Sequence, residues 1–289
     1  MPIVVNTNVS SLNAQRYLGA NANALGKSME KLASGFRINR AGDDAAGLQI
    51  SENLRAQIRG SKKALDNVQD GMNVLSIVDG AYQQITDNLQ RMRELTVQAA
   101  NGTYATAQKT AIENELLQLR ADIDRIASAT QFNGVSLMDG SQTNFYAQIG
   151  ANNTANDYLN LATVTGTSTF GAANSSALNT GLTAAALGTV DAGSSGDIRG
   201  LIDEIASALN TVNTRRGAIG ALSNRLEGAA NNLSIAIENF SSSESRIRNV
   251  DVAAESANLV RNQILQNAAA TVLSQANQAP SLAMQLLQG

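Results

Sequence analysis

Small and apolar residues recur every three or four positions from about residue 18 to 126, and again from about 198 to 286. That spacing is the period of one face of an α-helix. Between the two stretches the chain is rich in Ser, Thr, Gly and Asn and poor in charge. In the first stretch Leu18, Ala22, Leu25, Met29 and Leu32 step by four and three, with Val5, Val9 and Leu12 as a shorter run upstream. Ser34-Gly35 reads as a helix end with Gly35 as its left-handed cap. The loop FRINRAG follows, and Asp43 or Asp44 is placed to cap the next helix.

The second helix carries one long stripe: Leu65, Val68, Met72, Leu75, Val78, Tyr82, Ile85, Leu89, Met92, Thr96 and Ala99. Its mean spacing lies near the ~3.5 residues of a coiled-coil seam. From 44 to 100 such a helix runs about 85 Å at ~1.5 Å per residue, which predicts an elongated molecule. Asn101-Gly102 ends it, and a third helix, antiparallel to it, carries Ile112, Leu116, Leu119, Ile123 and Ile126. Asn133-Gly134 and Asp139-Gly140 are hairpin-turn signals on either side of 135–138. Alternation at Phe145, Ala147 and Ile149, and again over 157–164, predicts a β-hairpin. The segment 165–196 reads as an irregular surface element or a loop.

Helical periodicity returns with Ile198, Ile202, Ile205, Leu209, Val212, Ile219, Leu222, Leu226, Leu233, Ile237, Phe240 and Ile247. It ends with Leu265, Ala269, Val272, Ala276, Ala279, Ala283 and Leu286. The expected fold is mainly α: an elongated antiparallel helical coiled-coil or bundle rod, with a small β-hairpin region and paired N- and C-terminal helices. The terminal segments carry too few core-type side chains to offset their own backbone entropy. They should order only inside something larger, as in a subunit that polymerises. Gly19, Gly26, Gly60 and Gly71 interrupt helical patterns, where close helix approach accounts for them.

Composition narrows the chemistry. A net charge of −3 over 289 residues offers no nucleic-acid surface. The chain has no histidine, cysteine or tryptophan. The usual zinc and soft-metal sites, the Ser-His-Asp triad and the Cys-His dyad therefore cannot be built. No catalytic, cofactor or metal residue is assigned, and no enzyme activity is expected. Absence of cysteine suits a cytosolic protein, or an exported one without disulfides. The start, MPIVVNTNVSSLN, has no basic region and only Ile3-Val4-Val5 as an apolar run, unlike a Sec signal peptide. No apolar stretch approaches the ~20 residues that span a bilayer, so no membrane insertion is expected.

Several runs then resemble bacterial flagellin. At the N-terminal side they are VNTNVSSLNAQRYL (5–18), KLASGFRINRAGDDAAG (31–47), NVQDGMNVLSIVDGA (67–81), LQRMRELTVQAANGT (89–103) and IDRIASATQFNGVSLMDG (123–140). At the C-terminal side they are RRGAIGALSNRLE (215–227), NFSSSESRIRNVDVA (239–253) and ILQNAAATVLSQANQAP (264–280). Each is modest alone; all of them in order, around a different middle, are specific. The resemblance implies a short form with three parts. Residues 1–42 with 251–289 form an inner terminal coiled coil. Residues 43–140 with 198–250 form a helical rod, and 141–197 a small outer surface region.

In those terms, inner-helix packing falls to Val5, Val9, Leu12, Leu18, Leu25, Met29, Leu32, Leu265, Val272, Leu282 and Leu286. Rod packing falls to Leu65, Val68, Met72, Leu75, Ile85, Leu89, Ile112, Leu116, Leu119, Ile205, Leu209, Ile219, Leu226, Leu233 and Phe240. The resemblance also implies a swimming filament made of copies of this chain, with termini that order on assembly. Export would follow the flagellar type III route without a cleaved signal. An export chaperone would hold the C-terminal segment, and hook-associated proteins and a filament cap would be neighbours. A hook–filament junction protein shares the terminal helices and is the alternative. A chemoreceptor-like coiled-coil hairpin would need a membrane span, and an inserted protease would need a longer middle.

Gln90, Arg91, Arg93, Glu94 and Leu95, with Glu115, match the flagellin face sensed by an animal Toll-like receptor. For the bacterium the same face reads as subunit packing. Asp43 and Asp44 at a helix start read as caps favoured by the helix dipole rather than as metal ligands. Serine and threonine at 165–196 leave O-glycosylation open beside a solvated linker.

Overall fold

The computed structural model describes residues 7–139, 145–161 and 195–288. The described residues form five helices and two two-stranded hairpins. In order they are α1 (Val9–Ser34), α2 (Ala45–Ala99), α3 (Thr106–Ala129), β1 (Gln131–Phe132), β2 (Val135–Ser136), β3 (Tyr146–Gln148), β4 (Tyr158–Asn160), α4 (Ser195–Arg248) and α5 (Val252–Gln288). The fold is mainly α, as the periodicity predicts. Val5, the turn at Gly140, the side chains of Leu282 and Leu286, and the stretch 162–194 lie outside the described residues. Among the described residues no helix is long and apolar enough to cross a membrane.

Helix ends follow the local chemistry of the sequence. The Asn8 side chain accepts from the Ser11 N–H at 3.0 Å and starts α1. Gly35 ends it with φ 74°, its N–H donating to the Lys31 carbonyl. Asp44 Oδ1 accepts from the Gly47 N–H at 2.9 Å and starts α2. The Gln108 side chain accepts from the Ala105 N–H at the start of α3. Asn133 and Gly134 both have positive φ, 50° and 78°, as a tight two-residue turn between β1 and β2 requires.

Packing divides the chain into two compact units, Met1–Gln57 with Glu238–Gly289, and Ile58–Ile237. The sequence placed the inner limits at 42/43 and 250/251, where helices end. The first unit instead includes the start of α2 and the end of α4, which are tied to each other by the ion pair of Glu52 and Arg248.

The second unit holds one continuous apolar core. It gathers Val68, Leu75, Ile85 and Leu89 of α2, Ile112 and Leu116 of α3, and Ile205, Ile219 and Leu226 of α4. Met72, Leu119, Leu209 and Leu233 are half-buried against it. Leu65 and Phe240 are half-buried but stand apart from that core. The β3–β4 hairpin, with Ala147 opposite Leu159, turns both side chains and Leu161 inward. Tyr146 and Tyr158 meet edge to face on its outer side. A Cβ on Gly60 would lie 2.8 Å from that of Ala151, and one on Gly71 3.3 Å from Leu226, so two of the helical glycines mark close approach. Gly19 and Gly26 have nothing within 4 Å.

Two kinds of polar group enter this core with partners. Thr86 and Thr96 hydroxyls donate to the carbonyls of Tyr82 and Met92, one turn back. Arg215 donates to the Tyr82 hydroxyl at 3.3 Å inside the core, and outside it the partly exposed Arg216 pairs with Asp79 at 2.9 Å. Burial pushes the Tyr82 hydroxyl up from its ordinary pKa, with Arg215 opposing it. The fully buried Leu89 and the exposed Leu12 give a direct contrast. Leu89→Ala should lower the unfolding free energy by about 2–5 kcal/mol. Leu12→Ala should change it by less than about 0.5 kcal/mol. Urea denaturation of the monomer, followed by circular dichroism, measures both.

Candidate functional site

Three places in the structure carry features beyond a packed core. The first is the antiparallel pair of α1 and α5. The Asn8 amide donates to the Ala276 carbonyl at 2.7 Å, and the Ser11 hydroxyl to Asn277 Oδ1 at 2.7 Å. Toward the other end the Asn262 amide donates to Ser28 Oγ at 3.4 Å. The less exposed positions of α1 include Ser11, Ala14, Leu18, Asn21, Ala24, Leu25, Ser28 and Leu32. Those of α5 run Glu255, Asn258, Leu259, Asn262, Gln266, Ala269, Leu273 and Ala276.

This seam corrects the register read from the sequence. Leu18, Leu25 and Leu32 do line it, half-buried, but Asn21 takes the place expected of Ala22, which is exposed. Val9, Leu12, Met29, Leu265 and Val272 face solvent, Leu12 with 57% of its surface exposed. Tyr17, Val252, Val260 and Ile264 are exposed with them, Ile264 at 62%. Both helices carry two stripes of 3–4 spacing. The pair closes on a stripe that mixes leucine with small and polar side chains and leaves a second apolar stripe facing solvent. Ser11, Asn21, Ser28 and Asn262 were passed over because a search for apolar periodicity skips polar residues at the same spacing.

The second place is the junction between 35–55 and 247–251. Phe36 bridges Asn249 in antiparallel fashion. The Arg37 N–H donates to the Arg248 carbonyl at 2.6 Å, and the Val250 N–H to the Gly35 carbonyl at 3.0 Å. The Arg37 guanidinium donates to the Ile247 carbonyl at 2.6 Å, satisfying an acceptor at the end of α4. The Arg248 guanidinium lies 4.7 Å over the Phe36 ring and pairs with Glu52, which also holds Arg55. Arg248 and then Arg55 hold the Glu52 carboxyl below its ordinary pKa. Asp43 is lowered by accepting from the backbone N–H groups of Arg40 and Asn39. Both Asp43 and Asp44 are thus occupied by backbone donors.

The third place is the face of α2 around Arg91. Its guanidinium donates to Glu115 of α3 at 2.8 and 3.0 Å and to Glu94 at 3.2 Å. Glu115 and then Glu94 raise the Arg91 pKa further. Both side chains of the Arg91–Glu115 pair stay open to water, at 51% and 45%, so solvent screening leaves the pair little effect on stability. Gln90, Arg93 and Glu94 line an open groove of about 770 Å³ with Leu209 and Asn210 of α4. Leu95 does not belong to this face. It is 3% exposed and lies in the core, because three residues after Met92 and four before Ala99 is the buried side of the helix.

These features define a helical structural protein, with one well-packed unit and one helix pair whose larger apolar side chains point outward. Residues 5–143 match the bacterial flagellin N-terminal helical region, and 202–287 the bacterial flagellin C-terminal helical region. A flagellin of Halalkalibacterium halodurans is 42% identical over 99% of this chain and 100% of its own length. A flagellin of Bacillus subtilis is 40% identical over 98% of this chain and 99% of its own. The chain belongs to the bacterial flagellin family and is a structural subunit of the flagellar filament. A solved flagellar hook-associated protein from Vibrio parahaemolyticus shares the fold at 15% identity, with a TM-score of 0.54 over 72% of this chain and 100% of that one. The hook–filament alternative has only this fold likeness behind it, whereas the flagellins match end to end.

The depressed pKa values at the junction set a pH dependence. A carboxylate held below its ordinary pKa contributes stability above that range and loses it as pH falls through the folded value. Protection of the Val250 and Arg37 amides should therefore fall as the pH drops below about 4. Glu52→Gln should show less protection at neutral pH and a flatter profile. Hydrogen-exchange protection factors across pH 3–7 check this.

Proposed function

We propose that the subunit assembles by burying the outer face of the α1–α5 pair against neighbouring copies at the filament tip, and that its terminal helices order as they dock. The observation behind this reading is the exposed apolar set Val9, Leu12, Tyr17, Met29, Val252, Val260, Ile264, Leu265 and Val272. Each contributes roughly 1.5–3 kcal/mol when fully removed from water. The seam between the two helices, which mixes five half-buried leucines with serine, alanine and asparagine, covers none of this outer set. The resulting polymer transmits motor torque to the surrounding fluid, and the role is non-enzymatic.

The same surface supports the partners expected of a filament subunit. An export chaperone would cover the apolar face of α5 before assembly, and export would proceed unfolded through the flagellar channel without a cleaved signal. Hook-associated proteins below and a cap above would meet the same terminal helices. Gln90, Arg91, Arg93, Glu94 and Glu115 form the accessible face available to neighbouring subunits and to an animal Toll-like receptor, with Leu95 beneath it supporting the helix.

Met29→Asp with Leu265→Asp should leave the monomer's helicity and urea midpoint unchanged and abolish polymer formation, seen by sedimentation and electron microscopy. Normal filaments from that variant would refute the mechanism. For the receptor reading, the wild-type monomer should activate receptor-expressing reporter cells, and Arg91→Ala should weaken the response. A silent wild-type monomer sinks that part alone.

A further inference from the structure

We propose that the polar residues inside the α1–α5 seam stop α5 from sliding toward the junction at Phe36, and so hold the pair to the one composite apolar surface it presents. This rests on the assembly reading above. The apolar part of the seam specifies its alignment only in part. Leu18, Leu25 and Leu32 are spaced by seven residues, and on α5 Ala269 and Ala276 share that repeat. Leu259 and Leu273 lie two repeats apart, with Gln266 between them. Sliding α5 by one heptad exchanges Ala269 with Ala276 but sets Gln266 in the place of a leucine. The polar residues of the seam therefore bear directly on its alignment.

The polar residues respond differently to the two directions of slide. In the observed register the Asn8 amide meets the Ala276 carbonyl, Ser11 meets Asn277, and Asn262 meets the nearly fully buried Ser28. These contacts lie toward opposite ends of α1. Counted from the Ser28–Asn262 pair, a slide of seven residues toward the junction sets Ser28 opposite Ala269 and carries Asn262 past the end of α1. Ser11 loses Asn277. Asn21 moves from the level of Ala269 to that of Ala276, an alanine in either case, and so does not discriminate. Both serine hydroxyls lose their partners at once, and an unpaired polar group away from water is costly.

A slide the other way sets Asn262 opposite Asn21 and Ser28 opposite Glu255. These side chains can donate and accept again, and of the two serines only Ser11 is stranded, opposite Ala270 when counted from its own partner Asn277. That slide is opposed instead by the Phe36–Asn249 bridge, which tethers the start of α5 to the end of α1. The seam thus acts as a one-way stop, with the bridge as the tether behind it. A polar residue at a coiled-coil core position selects alignment in this way, at the expense of stability.

The consequence reaches the outer surface. One heptad is about 10 Å of helix. A slide would carry Val260, Ile264 and Val272 that far along α1 relative to Leu12 and Met29, and replace the surface that neighbouring copies must match. The bridge is also a rival explanation, since it could resist movement in both directions.

The chain has no cysteine, so introduced pairs report without background. Ser28→Cys with Asn262→Cys reads the observed register, and Ser28→Cys with Ala269→Cys reads a one-heptad slide toward the junction. Each full-length variant is copolymerised with excess unmodified chain, oxidised with copper phenanthroline, and its disulfides are quantified by mass spectrometry of tryptic fragments. With Asn8, Ser11 and Asn277 intact, the observed-register disulfide should form about tenfold or more over the slipped one. Adding Asn8→Ala, Ser11→Leu and Asn277→Leu should bring the two within about threefold. If the observed-register disulfide still prevails after those substitutions, the register belongs to the Phe36–Asn249 bridge and the proposal falls. A dominant slipped disulfide with Asn8, Ser11 and Asn277 unchanged overturns it as well. Failure of the unmodified chain to polymerise would instead strike the assembly reading, since it concerns the outer face and not the seam.

Discussion

The α1–α5 pair mixes five half-buried leucines with serine, alanine and asparagine at its seam and leaves a second stripe of valine, isoleucine, methionine and leucine facing water. Burial of apolar surface is the main favourable term in folding, and the pair does not draw on this second stripe by itself. The rest of the molecule is arranged around this imbalance. The second unit gathers its stripes from α2, α3 and α4 into one core and hides its threonine hydroxyls in satisfied hydrogen bonds. That core is closed within its own unit, whereas the terminal pair leaves large apolar side chains exposed.

The junction lies within the same unit as that pair. Gly35, Phe36 and Arg37 meet Ile247, Arg248, Asn249 and Val250 through backbone bonds, one guanidinium-to-carbonyl bond and a cation over a ring. Here the chain enters from α1 and leaves toward α5 side by side. Fixing both strands at one point holds the start of the terminal pair. Carboxylates at Asp43 and Glu52 make that point sensitive to acid, whereas the exposed pair of Arg91 and Glu115 adds little to stability.

Much of this was legible in the sequence, for identifiable reasons. The stripe from Val68 to Ala99 is buried almost throughout, because a long helix packed on one side leaves no freedom in its phase. Gly35, Asp44 and Asn133-Gly134 act as the sequence suggested, because caps and tight turns depend on the residue at the site itself. Leu95 was placed on the Arg91 face by the resemblance alone, although its own angle around the helix points to the core. The terminal seam was misread because each helix offers two stripes of equal period. Periodicity cannot choose between them; the choice falls to side-chain size and to the pairing of Ser11, Ser28 and Asn262 across the seam.

The central claim is that the terminal pair becomes fully ordered only when its outer face is buried by other copies. Amide hydrogen exchange of monomer and filament, resolved to α1, α5 and the α2 stripe, tests it most directly. Protection over α1 and α5 should rise by about a hundredfold or more on polymerisation, while the stripe around Ile85 and Leu89 stays protected in both states. Equal, full protection of α1 and α5 in the monomer would contradict the account.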